Sequence, residues 1–447
     1  MTVQNQYDAI IIGSGPGGGM VAKDLTQYGK KVLILERGDY KPTKGTFSQM
    51  LSRGWLPGTQ MPVTKSLKPI VRGITTGGTS NLYTATAYPP DYEMLERYGV
   101  DIAKEIEELK EELPIAPLSD HLMSPAANLF MKTASEMGYD AFKYDKYIYQ
   151  DNCRQNCDAC MLGCPNDAKW NSRYLIDEAV KNGAEIINGA MVKQVLSEGD
   201  IATGVSYSKG GRSHHVYAPR IVMSAGGIGS PLILRKSGFD HVGEDVCGDP
   251  LLVVCGKIPG LEGTGKAVPM QTGFHLKDEG IMFSDLHMPK VLKSLFDAHA
   301  FNFGEMSDFA DVLPIMVKIR DDLSGKIVNN GFVDKPISAA DKAKLDLGKN
   351  IATDILKQAG ATKVYSSRIL VAHPGAGIKL GEHLDENLKT KKFNNLYVCD
   401  ASVFPEPLGR PPSLSILGMG KRLAKHLAAQ NDWESIHHNT AALEPAE

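Results

Sequence analysis

Four of the seven cysteines fall within twelve residues: Cys153, Cys157, Cys160 and Cys164. Their spacing is C-x-x-x-C-x-x-C-x-x-x-C, and Pro165 follows the last. Thiolates are metal ligands, and compact cysteine runs ending in Cys-Pro hold iron–sulfur clusters. The first gap is one residue longer than in the bacterial ferredoxin run. Structural zinc sites of four cysteines use two C-x-x-C pairs set farther apart, so the run is too compressed to suit zinc well. Met161, not histidine, follows Cys160, which excludes covalent haem. An iron–sulfur cluster is the favoured reading; zinc and unliganded thiols are the alternatives. Such clustering fits a reducing compartment better than a disulfide framework. Cys247, Cys255 and Cys399 stand alone and read as buried or structural thiols.

A second signal lies near the N-terminus. Gly13, Gly15 and Gly18 form G-x-G-x-x-G directly after the apolar run Tyr7 to Ile12 and before a helical stretch from Met20 to Tyr28. The first glycine permits a tight turn, the second lets backbone approach a pyrophosphate, and the third allows close helix–strand packing. The helix start then offers free N–H groups and the positive dipole end to phosphates. A second strand, Val32 to Leu35, leads to Glu36, placed to accept hydrogen bonds from a ribose. Two distant segments complete the pattern. Ile221 to Ser224 is a strand entering Ala225-Gly226-Gly227, and Asn395 to Cys399 is a strand ending at Asp400. One nucleotide fold spread along the chain favours FAD over NAD.

These residues resemble the glucose–methanol–choline (GMC) oxidoreductases, FAD enzymes acting on alcohols and sugars. The likeness runs from the glycine loop through Gly77-Gly78-Thr79-Ser80-Asn81, similar to the family's flavin-contacting G-G-S-S segment. It continues through Ala225 to Pro231, His373-Pro374-Gly375 and Asp400-Ala401-Ser402-Val403-Phe404-Pro405. The resemblance implies flavin contacts at Gly78, Thr79, Asn81, Ala225, Gly226, Asp400 and Ala401. It also implies a catalytic role for His373, whose imidazole suits removal of a hydroxyl proton. The family places a second His or Asn shortly after the D-x-S-x-F-P segment, where this chain has Pro411. Arg410 is the nearest candidate to replace it, as a cation stabilising an alkoxide. The helix starting near Ser413 is expected to aim its positive end at the flavin. Gly163 to Lys169 is similar to a stretch in the iron–sulfur glucose and gluconate dehydrogenase-like members, implying a [4Fe-4S] or [3Fe-4S] cluster near the flavin.

The elements that must position these residues imply an α/β fold. A Rossmann-like FAD-binding domain would be assembled from the discontinuous segments 1–90, 150–244 and 366–430, with the cysteine insert at 151–170. An α+β substrate or cap domain would use 91–149 and 245–365, and 431–447 would be a mobile polar tail. Residues 100–112 read as a charged helix with a solvated face, and 185–196 as strand. His275, His287 and His299 read as surface or core residues rather than ligands.

Hydrophobic residues at 42% and charged residues at 23% are ordinary for a globular protein. A net charge of -3 argues against a nucleic-acid partner or a polybasic membrane patch. No apolar run approaches the roughly 20 residues of a membrane span, and Met1 to Tyr7 lacks a secretion signal, so a cytoplasmic location is expected. The expected activity is a dehydrogenase. It would oxidise an alcohol or sugar hydroxyl and pass electrons through the cluster to an acceptor protein or quinone, as a candidate subunit of a hetero-oligomer. The alternatives are a reductase or electron-transfer subunit with an altered substrate site, and, least favoured, a non-redox zinc protein.

Overall fold

Four short runs of the chain are buried at every position: Ala9–Ile12, Val32–Glu36, Arg220–Met223 and Leu396–Val398. Strands without an exposed face belong in a parallel sheet covered on both sides. In the computed structural model they form one, with Glu185–Asn188 as its fifth member. The order is Leu396–Val398, Arg220–Met223, Ala9–Ile12, Val32–Glu36, Glu185–Asn188, and every pairing is parallel. Ile10 lies between Ile221 and Leu33. The helix Pro16–Gln27 packs against Ser413–Ala428 and Arg173–Lys181. The structure describes residues 7–55, 64, 70, 72–261, 267–328, 331–430 and 433.

A second sheet is antiparallel. Its order is Lys363–Ser366, Pro250–Lys257, Val312–Ile319, Ile281–Asp285, Thr272–Leu276 and Phe142–Lys143. Side chains alternate across its faces. Leu313, Ile315, Val317 and Ile319 pack with Phe130, Phe274, Leu345 and Ile355 under the helices Pro125–Glu136 and Ala339–Gln358. Val312, Met316 and, by the same alternation, Lys318 occupy the other face.

Four sequence expectations differ in detail. The stretch 185–196 is two strands: Gly189, at φ +71°, separates the sheet strand from Met191–Glu198, which opens a three-stranded antiparallel ribbon with Ile201–Lys209 and Arg212–Tyr217. The charged helix is Ala103–Glu112, but its acidic face is not simply solvated. It lies against Ser413–Ala428, where Lys425 Nζ is 2.9 Å from Glu105 Oε1 and 2.8 Å from Glu108 Oε1. Lys23 Nζ is 2.7 Å from Glu112 Oε2. The reason is amphipathicity: Ile106 and Leu109 join the core around the parallel sheet and draw the acidic residues onto facing lysines. Met94, Leu95 and Val100 join that same core, whereas the sequence allots them to the cap. In the segment expected to be a tail, Trp433 is buried and its Nε1 donates to Leu427 O at 3.1 Å; the other residues from 431 on lie outside the described residues.

Candidate active site

The glycine loop is built by close approach. Gly13 sits at φ +98°, and a Cβ there would lie 2.3 Å from Ser224 O. A Cβ on Gly17 would lie 1.9 Å from Cys399 O, and one on Gly18 2.2 Å from Gly13 O. The three glycines therefore let the loop, the Arg220–Met223 strand end and the Leu396–Val398 strand end meet. Gly15 is different: no described atom lies within 4 Å of a Cβ built on it. It precedes the first turn of Pro16–Gln27, and no side chain caps that helix. An open cradle of uncapped N–H groups suits a pyrophosphate.

Gly77–Asn81 closes over this cradle. Gly77 N donates to Ser14 Oγ at 3.1 Å, and a Cβ on Gly78 would lie 3.1 Å from Gly15 Cα. Asn81 Nδ2 donates to Thr76 O and Gly78 O, at 2.9 and 3.0 Å, and Thr79 Oγ1 accepts from Gly73 N at 3.0 Å. Glu36 is buried at the end of its strand. Its Oε2 accepts from Ser14 N at 3.1 Å and from Ser14 Oγ, while its Oε1 accepts from Gly38 N at 2.6 Å. Burial pushes its carboxyl upward, and these bonds oppose the shift. The carboxylate expected to hold a ribose is thus first engaged in shaping the glycine loop.

The distant segments converge. Gly226 N donates to Asp400 Oδ2 at 2.8 Å, and Ser402 N to Asp400 Oδ1 at 2.8 Å. Ala376 N donates to Ala401 O at 3.2 Å, and a Cβ on Gly227 would lie 1.8 Å from Pro374 O. His373 is thereby set beside the Ala225–Gly227 turn.

His373 has two neighbours that sequence reasoning did not identify. Its Nδ1 is 3.0 Å from Asp249 Oδ2 and 3.3 Å from Lys318 Nζ. One nitrogen does not donate to the carboxylate and accept from the ammonium at once. The shorter contact to an anion assigns Nδ1–H to Asp249, which leaves the Nε2 lone pair free. Asp249 is buried and held at φ +43°, a left-handed conformation that costs a non-glycine residue strain. Its Oδ1 accepts from Gly409 N at 3.0 Å, and its own N donates to Asp321 Oδ1 at 3.1 Å. Asp321 is fixed in turn by Lys335 at 2.9 Å. Burial, then the charge of Lys318, lowers the His373 pKa, and Asp249 opposes this. Burial brings Lys318 down to about 8 against the pull of Asp249. Neither residue lies in a motif; Lys318 was visible only as a lone charge in an apolar strand.

Arg410 pairs with a carboxylate. Its Nη2 is 3.1 Å from Asp91 Oδ2, its guanidinium lies 5.7 Å from the Tyr88 ring centroid, and its Nε has no hydrogen-bond partner. The cation beside His373 Nδ1 is Lys318, at 3.3 Å. Arg410 also contributes, after burial, to pushing the His275 pKa down to about 4. His287 is buried and likewise held near 4, with its Nε2 2.8 Å from Ser124 Oγ.

Cys153, Cys157, Cys160 and Cys164 line one pocket with Asn166 and Lys169, and all four are unbridged. Burial pushes the thiols of Cys153 and Cys160 up to about 11 and about 12. Among the described residues, no three His, Cys, Asp or Glu side chains are gathered as a metal ion requires. The pocket has the donor set for a thiolate-held group, but the thiols are not drawn together. Cys247, Cys255 and Cys399 are buried.

The fold and its converging loops define a dinucleotide-binding oxidoreductase of the FAD type. Models of the GMC oxidoreductase family match residues 58–251 and 308–420, together more than half of the chain. The chain belongs to that family, and it is an FAD-dependent oxidoreductase. Among its relatives is an uncharacterised protein of Methanocaldococcus jannaschii, 27% identical over 94% of this chain and 100% of that one. A long-chain-alcohol oxidase of Arabidopsis thaliana is 21% identical over 92% of this chain and 67% of its own length. In fold alone the chain is similar to pyridoxine 4-oxidase from Mesorbium loti, with a TM-score of 0.72 and 16% identity over 94% and 99% of the two chains. Formate oxidase of Aspergillus oryzae RIB40 gives a TM-score of 0.76 and 16% identity over 96% and 99%. No helix among the described residues is long and apolar enough to cross a membrane.

Proposed function

We propose that this protein is a dehydrogenase that oxidises the hydroxyl of an alcohol or sugar at His373 and passes the electrons to an acceptor other than oxygen. The observation that carries the reading is the Asp249–His373 contact of 3.0 Å. Asp249 holds the imidazole in the tautomer whose Nε2 accepts a proton, and Lys318 disfavours the imidazolium, so the base stays available. His373 takes the hydroxyl proton while the C–H bond of the carbinol breaks. FAD, when bound on the Gly13–Gly18 loop, supplies the hydride acceptor. A cluster held by the four cysteines would relay electrons singly to an acceptor protein or quinone; their shared pocket supports this. The cytoplasm remains the proposed location.

A second reading is an oxidase in which the cysteine loop is structural. It is favoured by the thiols not being gathered as a metal ion requires. An anaerobic screen of alcohols and sugars separates the two. Bleaching of the flavin band, iron in the protein and turnover with a one-electron dye but not with oxygen support the first. An iron-free protein that turns over rapidly with oxygen overturns it.

The pH profile follows from the same triad. The His373 pKa is lowered below 6.5, so kcat/KM should hold at pH 6.5 and fall only as pH drops through that lower value. Lys318 loses its charge near 8, where His373 is already neutral, so it adds no alkaline limb. In Lys318→Met the acid limb should move upward, because the cation opposing protonation is gone. An unmoved profile would separate Lys318 from the base.

A further inference from the structure

Two buried side-chain nitrogens around the candidate site have no hydrogen-bond partner among the described residues: His275 Nε2 and Arg410 Nε. Neither takes part in the chemistry above. Buried polar atoms are almost always paired, so two left open mark a place where something else bonds.

Strand register places His275. It pairs with Met282, and Met282 pairs with Lys318, whose Nζ lies 3.3 Å from His373 Nδ1. Residues paired across antiparallel strands share a face. His275, Met282 and Lys318 thus form one row, on the face opposite the Phe274, Phe283 and Val317 core. Neighbouring strands lie about 4.8 Å apart, which puts His275 roughly 10 Å from Lys318 along the row. Arg410 reaches the same surroundings by another route. It follows Gly409, whose N donates at 3.0 Å to Asp249, the carboxylate that holds His373. Tyr88 joins the two: its hydroxyl is 3.5 Å from His275 Nδ1, and the Arg410 guanidinium is 5.7 Å from its ring centroid. His275 belongs to the antiparallel sheet, whereas the Gly13–Gly18 loop and the Ala225–Gly227 turn follow strands of the parallel one.

We propose that His275 and Arg410 are specificity-determining residues that bond a second hydroxyl of the substrate, so that a sugar or polyol is taken in preference to a simple alkanol. This rests on the alcohol-oxidation reading above. Arg410 Nε–H is a donor only, while Nε2 of a neutral imidazole donates or accepts according to its tautomer. A hydroxyl donates and accepts, so it satisfies both nitrogens; a methylene satisfies neither. The charge of Arg410 already faces Asp91 at 3.1 Å, so a neutral oxygen suits the place better than a carboxylate.

The test follows anaerobic flavin reduction in the holoenzyme with two matched pairs, 1-hexanol against D-sorbitol and cyclohexanol against D-glucose, and with D-gluconate. Wild type is expected to show kcat/KM at least about tenfold higher for the polyhydroxy member of a pair, chiefly through KM. His275→Phe keeps a ring and Arg410→Lys keeps a charge for Asp91, yet each removes one of the two nitrogens. Each should bring the ratio to within about threefold. A structural role would slow both members alike and leave the ratio unchanged. The inference is overturned by a wild type that takes the mono-alcohols equally well, by a ratio that survives in both FAD-loaded variants, or by a preference for D-gluconate; in all three the alcohol-oxidation reading stands. If no probe reduces the flavin, that reading falls and this inference with it. Where a variant fails to load FAD, the wild-type ratio and the other variant decide.

Discussion

Asp249→Asn is expected to lower kcat by about 10²–10⁴-fold while leaving FAD content and KM close to wild type. The substitution keeps the size of the side chain and an oxygen for the Gly409 N–H bond. It removes the charge at His373 Nδ1 and places an amide donor there. An amide donor stabilises the opposite tautomer, with the proton on Nε2, and that nitrogen no longer accepts. His373→Asn should lose a similar factor. The double variant should lose little more than either single one, because the two groups act as a unit. Stopped-flow flavin reduction under anaerobic conditions isolates the relevant step. Asp249→Asn reducing its flavin within threefold of the wild-type rate would remove Asp249 from the mechanism.

The second large effect concerns the cofactor. Gly15→Ala and Gly17→Ala should both yield protein deficient in FAD, for different reasons. At Gly17 the new methyl would lie 1.9 Å from Cys399 O, a backbone atom just past the edge strand Leu396–Val398. Forcing it in should destabilise the apoprotein by about 1–3 kcal/mol or more. At Gly15 the methyl meets no described atom, and the backbone there, at φ -67°, accepts alanine. Its only cost is to fill the cradle at the helix start. Gly15→Ala should therefore keep the Tm of the apoprotein and lose FAD affinity, whereas Gly17→Ala should lose both. Thermal unfolding of apo and FAD-loaded protein reads the difference. Full FAD binding by Gly15→Ala would show that the pyrophosphate does not rest there.

The parallel sheet was legible because buried strands without alternation, followed by glycine turns, have few other uses. The Ala9–Ile12, Val32–Glu36, Arg220–Met223 and Leu396–Val398 strands fall close to where their apolar runs predict. The break falls at Asn188-Gly189, a turn dipeptide with Gly189 at φ +71°, although β-branched residues on both sides carry a strand pattern across it. The docking of Ala103–Glu112 was not legible: its acidic residues look solvated until the lysines of Ser413–Ala428 are seen opposite.

The candidate site divides in the same way. Local motifs carry their own chemistry, so the glycine loop, His373 and the four cysteines could be named from residue type and spacing. The sequence by itself determined the family and the FAD fold, and it singled out His373 through the motif that holds it. The partner of that histidine depends on chain segments 124 and 55 residues away, Asp249 and Lys318, which no periodicity links to it. A carboxylate before a strand and a lysine within one are ordinary until Leu251 pairs with Lys318 and Pro250 with Val371 in the antiparallel sheet. Tertiary structure alone decided that Asp249 and Lys318 meet at His373 Nδ1 and that Arg410 turns to Asp91. Hydrogen bonds and charge act over a few ångströms, and only packing brings such distant residues within that range.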